Sequence, residues 1–146
     1  MPPICGRWSH RRTLFPRDAR RYRFVATTNL FGDILSDQAA GLAGGVGLAP
    51  SLNAGHDHAM ARAVHGTAPD IAGKGVANPS ALILSTALLL RWFHQRSGRR
   101  ACRDTAELME SAVRRTIESG ATTPDLGGTA STAEFARSVV RSMDGR

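Results

Sequence analysis

The sequence contains few cysteines, few aromatic residues and no apolar run long enough to cross a membrane. Cys5 and Cys102 stand alone among 146 residues, so we expect free thiols in a reducing compartment, not a disulfide framework. Aromatic residues make up 5% of the chain, which favours an α/β protein over a β-sandwich. The longest apolar run, residues 81–93, is too short for a bilayer span and predicts a buried helix. Together these shortages predict a cytoplasmic protein with no membrane partner.

Positive charge is abundant but confined to one end of the chain. Residues 1–24, here termed the leader, carry seven arginines against Asp18, a net charge of +6, which leaves +1 for residues 25–146. Some basic arms bind nucleic acid through phosphate contacts. We favour a solvated or non-native tail instead, so no nucleic-acid partner is expected. The leader also lacks an apolar stretch of signal-peptide length.

Patterns of apolar and turn-forming residues predict two short strands and four helices. The strands are 24–29 and 61–65, the helices are 30–43, 79–93, 105–119 and 132–143, and loops are expected at 44–58 and 95–103. The expected helix caps are Asn78, Asp104 with Glu107, and Ser131 with Glu134. Each helix has an apolar face, and two strands cannot cover them all. We therefore predict an α/β fold with flanking helices and an incomplete sheet.

Two carboxylates lie one turn apart on the first predicted helix. Asp33 and Asp37 have i, i+4 spacing, which sets their Cβ atoms about 5–6 Å apart and makes the charges repel each other. A hard divalent cation such as Mg²⁺ or Mn²⁺ relieves this repulsion, because it takes carboxylate oxygens as ligands. Spacing alone favours the alternative, a solvated helix edge.

A polar loop follows the second predicted strand. It contains His65, Asp70, Lys74 and Asn78 among small residues that allow a ligand close to the backbone. An Asp in such a loop accepts hydrogen bonds from both ribose hydroxyls of NAD and repels the additional phosphate of NADP. These residues alone favour the structural explanations, in which Asn78 is a helix cap and His65 is a buried histidine with its hydrogen bonds satisfied.

Two further short patterns carry less information. Gly44–Gly47 reads GGVG, which lacks the GxGxxG spacing of a Rossmann fingerprint. His56, Asp57 and His58 form an HDH triplet, but no third metal ligand accompanies the two histidines. We interpret this triplet as an exposed loop.

Three longer stretches carry a family resemblance. "TTNLFGDILSDQAAGLAGGVGLAPS" (27–51), "HGTAPDIAGKGVANPSALILSTALLLR" (65–91) and "TPDLGGTASTAEF" (123–135) resemble the C-terminal part of the isocitrate/isopropylmalate dehydrogenase family. These proteins are metal-dependent, β-decarboxylating dehydrogenases of 2-hydroxy acids. The resemblance covers residues 25–146 and implies that this segment is the C-terminal part of such a domain.

The resemblance implies roles for both sets of candidate residues. The acids of its GD-x-x-x-D motif bind Mg²⁺ or Mn²⁺ and fall on Asp33 and Asp37. The residues that wrap the adenosine of the dinucleotide fall on His65, Gly66, Thr67, Ala68, Pro69 and Asn78. The pair that sets cofactor choice is Asp70 and Ile71, the pattern of NAD-users.

The implied reaction passes a hydride from the substrate to NAD and then releases CO₂, with isocitrate favoured over isopropylmalate and tartrate. Family members form dimers or larger assemblies. The family's catalytic Tyr and Lys and a third metal-binding acid match no residue here, so no catalytic residue is assigned. We interpret the leader as the result of a truncated or frame-shifted reading of a longer gene. A catalytically incomplete NAD- or metal-binding remnant is the alternative function.

Overall fold

A computed structural model describes Asp18, Arg20 and residues 25–145, and the chain divides into two compact units, Met1–Ala43 and Gly44–Arg146. Most of the leader, including Cys5, lies outside the described residues. No helix in the described part is long and apolar enough to cross a bilayer. The described elements are four α-helices and a two-stranded sheet, which confirms the predicted α/β class.

The first unit contains helix α1, Asn29–Leu42. The strand predicted at 24–29 is wrong: residues 25–28 are irregular and Asn29 already belongs to α1, while Phe24 lies outside the described residues. A strand needs a hydrogen-bonded neighbour, and β-branched composition alone does not supply one. Leu35 and Ala40 are buried on α1, whereas Leu30 and Leu42 are exposed.

A β-hairpin begins the second unit. Strands β1, Pro50–Ala54, and β2, Ala59–Ala63, pair in antiparallel register with Leu52 opposite Ala61. The sequence prediction missed β1 because the segment was read as a loop rich in small residues. Pro50 is the first residue of its strand, a position where a missing N–H is tolerated. Strand β2 was predicted at 61–65 and lies two residues earlier.

Three helices follow the hairpin: α2, Ser80–Ser97, α3, Arg100–Glu118, and α4, Thr132–Met143. Gly98, with φ of 70°, ends α2 in the left-handed conformation, so α3 begins two residues later and the loop predicted at 95–103 is mostly helical. The capping box of Asp104 does not form, because that residue lies inside α3, where its carboxylate pairs with Arg103. The bounds and the capping box predicted for α4 are confirmed.

The core of the second unit lies between α2, α3 and α4. Ala112, Val113, Phe135 and Val139 are buried together, and Phe135 is fully enclosed. The hairpin packs on the other side of α2, where Ser85 Oγ accepts a hydrogen bond from Ser51 N at 3.0 Å. This scaffold fixes both ends of the loop between β2 and α2.

Candidate functional site

A cleft of about 500 Å³ opens in the second unit beside the loop between β2 and α2. More than half of its lining residues are Gly or Ala, whose small side chains leave the backbone accessible. The lining residues are Gly44–Gly47, His65–Ala68, Ile71–Gly73, Gly75–Asn78 and Asp125. Such a wall lets a ligand approach peptide groups closely.

Six of the eight residues predicted to bind a cofactor line this single cleft: His65, Gly66, Thr67, Ala68, Ile71 and Asn78. The other two, Pro69 and Asp70, are not among the lining residues. They form the first two positions of the short 3-10 turn Pro69–Ile71, and both are exposed. The structure thus brings most of the predicted set together and leaves Asp70 on the adjoining turn.

Ala68 has an uncommon backbone conformation at this turn. Its φ of 43° and ψ of 63° lie in the left-handed region, which costs a non-Gly residue about 1–2 kcal/mol. The hydrogen bond from Ile71 N to Ala68 O, 3.1 Å long, closes the turn. At the start of the loop, His65 Nδ1 lies 3.0 Å from Gly66 O, a geometry in which Nδ1 donates. Strain of this kind concentrates at functional sites.

Asn78 is almost fully buried, and both ends of its amide are used. Its Oδ1 accepts from Ser80 N at 2.9 Å, and its Nδ2 donates to Asp125 Oδ2 at 3.0 Å. The first bond satisfies a backbone donor at the start of α2, so the capping interaction expected of Asn78 is present although Pro79 occupies the cap position itself. The second bond joins the loop to a distant segment.

Among the cleft residues that sequence reasoning missed, Asp125 and Gly47 lie beside Asn78 although they are distant from it in sequence. Thr123 Oγ1 donates to Asp125 Oδ1 at 2.5 Å, so this carboxylate ties Thr123 to Asn78. A Cβ at Gly47 would lie 2.8 Å from Asp125 Oδ2 and 3.1 Å from Asn78 Cβ, so any other residue there would displace the Asp125 side chain. Both residues belong to stretches that the sequence already distinguishes. Gly47 ends the GGVG pattern, which lacks the Rossmann spacing, and Asp125 lies in the third stretch that resembles the family.

The start of α4 holds the far side of the loop. Thr132 N donates to Gly75 O at 2.7 Å, and Thr132 Oγ1 donates to Ala77 O at 2.5 Å. The carbonyl groups of Gly75 and Ala77 are therefore hydrogen-bonded to α4. The loop is held by Thr132 through these two carbonyls and by Asp125 through Asn78.

Asp33 and Asp37 lie on α1 in the other unit, and both are exposed. Ser36 Oγ donates to the main-chain oxygen of Asp33 at 2.8 Å, which leaves the Asp33 carboxylate available. Across the described residues, no group of three His, Cys, Asp or Glu side chains is assembled as a metal site. The two carboxylates suit a hard cation in ligand type but supply only part of a ligand set.

Solved structures with this fold define a class of dehydrogenases. Isocitrate dehydrogenase from Methylococcus capsulatus is similar with a TM-score of 0.84 and 43% identity, over 92% of this chain and 39% of that one. A β-decarboxylating dehydrogenase from Thermococcus kodakarensis is similar with a TM-score of 0.71 and 38% identity, over 91% and 39% of the two chains.

The chain belongs to the isocitrate/isopropylmalate dehydrogenase family, whose model matches residues 13–139, beginning inside the leader. The 3-isopropylmalate dehydrogenase of Methanothermobacter thermautotrophicus is 46% identical over 86% of this chain and 36% of that protein. The isocitrate/homoisocitrate dehydrogenase of Thermus thermophilus is 50% identical over 84% and 35%. The chain thus spans about a third of the length of the curated relatives it matches.

Proposed function

We propose that this chain is the part of a β-decarboxylating dehydrogenase that binds the adenosine portion of NAD. The supporting observation is that six residues assigned to the cofactor by the family resemblance line one cleft, which is rich in Gly and Ala. The reaction proposed for the complete enzyme is NAD-dependent oxidative decarboxylation of a 2-hydroxy acid that bears a β-carboxylate. Bound NAD would accept the hydride from the substrate carbinol.

Cofactor choice is assigned to the turn beside the cleft. Ile71 lines the cleft, and Asp70 precedes it as an exposed carboxylate. A carboxylate there accepts hydrogen bonds from the two ribose hydroxyls of NAD. The same charge repels the 2′-phosphate of NADP, so the turn favours NAD.

The metal role is assigned to Asp33 and Asp37. Their carboxylates are acceptors suited to Mg²⁺ or Mn²⁺, and the exposed edge of α1 leaves both free to turn toward an ion. Bound metal would act as a Lewis acid on the substrate oxygens. The remaining metal-binding acid is assigned to another subunit or to the part of the relatives' fold that this chain does not cover. The first assignment fits a homodimer or larger assembly.

Isocitrate is the proposed substrate, with 3-isopropylmalate or tartrate as alternatives. The relatives carry both names: one is called a 3-isopropylmalate dehydrogenase and another an isocitrate/homoisocitrate dehydrogenase. A remnant that binds NAD or metal without catalysis is the second candidate function. It needs only the cleft of the second unit and the exposed carboxylates of α1, both of which the described residues contain.

A turnover assay tests whether the chain is catalytic by itself. The purified chain is mixed with NAD⁺, Mg²⁺ and isocitrate, then with isopropylmalate or tartrate, while NADH absorbance is followed. We expect no turnover, because the family's Tyr and Lys match nothing in the chain. NADH production by the chain alone would contradict this expectation.

Grafting residues 25–146 onto the N-terminal part of the Thermus relative tests descent from an active enzyme. We expect metal-dependent NADH production by the chimera. The Asp33→Asn chimera should lose it, whereas a matched Asp104→Asn chimera should keep it. An inactive but folded chimera would favour the remnant.

A further inference from the structure

Asp125 is the one carboxylate among the described residues that line the cleft, and three separate segments of the second unit meet at it. Asn78 Nδ2 donates to one carboxylate oxygen and Thr123 Oγ1 donates to the other. Gly47 approaches so closely that an added Cβ would lie 2.8 Å from Asp125 Oδ2. The Asp125 carboxylate therefore joins its own turn to Asn78 and lies against the backbone at residue 47.

The contacts of Asp125 fix the orientation of the Asn78 amide. If that amide were flipped, its oxygen would face the Asp125 carboxylate and its NH₂ group would face Ser80 N–H. Both contacts would then be unfavourable, so only one orientation fits. Asn78 is 7% exposed and Thr123 is fully buried, so neither has water as a ready substitute partner.

We propose that Asp125 is a positioning residue that holds Asn78, and with it the loop 75–78, in the conformation that receives a nucleotide. The proposal rests on the function proposed above for the cleft. A loop already fixed in its bound conformation loses less conformational freedom on binding, which raises affinity. Thr132 holds the same loop through hydrogen bonds to Gly75 O and Ala77 O. Asp125 holds it through the Asn78 amide, so two side chains outside the loop together restrain it.

Asp125 is itself exposed, so a direct contact between its carboxylate and the ligand is the competing explanation. A double variant that combines Asn78→Asp with Asp125→Asn exchanges the two side chains and distinguishes the explanations. The amide introduced at position 125 donates to the carboxylate introduced at position 78, and the oxygen of that amide still accepts from Thr123. The carboxylate at position 78 also still accepts from Ser80 N. The hydrogen bonds that join position 125 to positions 78 and 123 are thus restored without a carboxylate at position 125.

The experiment uses the full chain and two measurements, hydrogen exchange of the ligand-free protein and calorimetric titration with NAD⁺. Asp125→Ala and Asn78→Asp should each speed exchange of the amides of Ser80 and Thr132, which donate to Asn78 Oδ1 and to Gly75 O of the loop. If only about a tenth of molecules keep the loop in place, the apparent Kd for NAD⁺ rises about tenfold. Asp125→Asn should have a smaller effect, because its amide oxygen still accepts from Asn78.

The exchanged double variant should recover slow exchange and most of the affinity, while Asp144→Asn, a control at the end of α4, should change neither. Slow exchange with weak NAD⁺ binding in the double variant would overturn positioning in favour of direct contact. Unchanged exchange in Asp125→Ala would overturn the proposal outright. A wild-type chain that binds no NAD⁺ would count against the proposed function, while the exchange measurements would still decide whether Asp125 holds the loop.

Discussion

Ser80 and Ser85 are both fully buried on α2, yet their hydroxyl groups have opposite surroundings. Ser85 Oγ accepts from Ser51 N at 3.0 Å and lies 2.8 Å from Arg62 O and 2.7 Å from Ala81 O, to one of which it donates. Ser80 Oγ has no hydrogen-bond partner among the described residues. A buried polar atom stabilises the fold only when it is paired, so similar residues have different energetic roles.

Replacing each serine by alanine should therefore give opposite results. Ser85→Ala leaves Ser51 N–H without its acceptor, and we expect it to lower the free energy of unfolding by about 1–3 kcal/mol. Ser80→Ala removes an unsatisfied hydroxyl and should leave stability unchanged or slightly higher. Urea denaturation followed by circular dichroism measures both, and equal losses in the two variants would contradict this account.

Under the proposed function, cofactor choice depends on Asp70. Asp70→Lys replaces the carboxylate proposed to accept the ribose hydroxyls by an ammonium group, and we expect NAD⁺ affinity to fall about tenfold or more, the equivalent of one lost charged hydrogen bond. Affinity for NADP⁺ should rise because the 2′-phosphate is then attracted. Calorimetry with both nucleotides measures the change. Unchanged NAD⁺ affinity would remove Asp70 from its assigned role.

At the scale of elements, α2 and α3 are joined by a paired arginine and glutamate. Arg91 Nε and Nη2 donate to the two carboxylate oxygens of Glu110 at 2.8 and 2.7 Å. This hydrogen bond lowers the pKa of Glu110 below its ordinary value of 4.5, and it raises the pKa of Arg91. Both side chains are about one-third exposed, so solvent screens the pair and its contribution is modest.

The lowered pKa of Glu110 predicts a pH dependence with a definite sign. The folded protein binds the Glu110 proton less tightly than the unfolded chain does, so the pair stabilises the fold above pH 4.5 and loses its effect as pH falls through the lowered value. Glu110→Gln should cost about 0.5–1 kcal/mol of unfolding free energy at neutral pH, and this difference should vanish in acid. Glu118→Gln on the same helix is the control. A cost that persists in acid would contradict the pairing.

Elements with local signals were predicted from the sequence, and elements that depend on distant partners were not. Helix α4 carries its own capping box, in which Ser131 N donates to Glu134 Oε2 at 2.8 Å, so its start was found correctly. Strand β1 depends on pairing with β2 and on the hydrogen bond from Ser51 N to Ser85 Oγ of α2. The composition of residues 50–54 reveals neither contact. The strand predicted at 24–29 is wrong because its β-branched and aromatic composition is typical of a strand but no neighbouring strand pairs with the described residues 25–28.

At the scale of the whole molecule, the loop from His65 to Asn78 was predicted as one site because its residues are close in sequence. Gly47 and Asp125 were not, because the fold brings them to the cleft from far away; Asn78 and Asp125 are 47 residues apart. The metal site is the part that stays a prediction. Asp33 and Asp37 lie on α1 in the first unit, and no third ligand joins them among the described residues.

The central claim, that the cleft of the second unit binds NAD, is tested most directly by calorimetric titration of the full chain with NAD⁺. We predict saturable binding at one site per chain. Gly47→Ala should abolish or strongly weaken it, because the added Cβ collides with Asp125 and Asn78. Gly41→Ala, where an added Cβ meets nothing within 4 Å, should bind as the wild type does. Absence of saturable binding by the wild-type chain, or equal affinity in Gly47→Ala, would contradict the account.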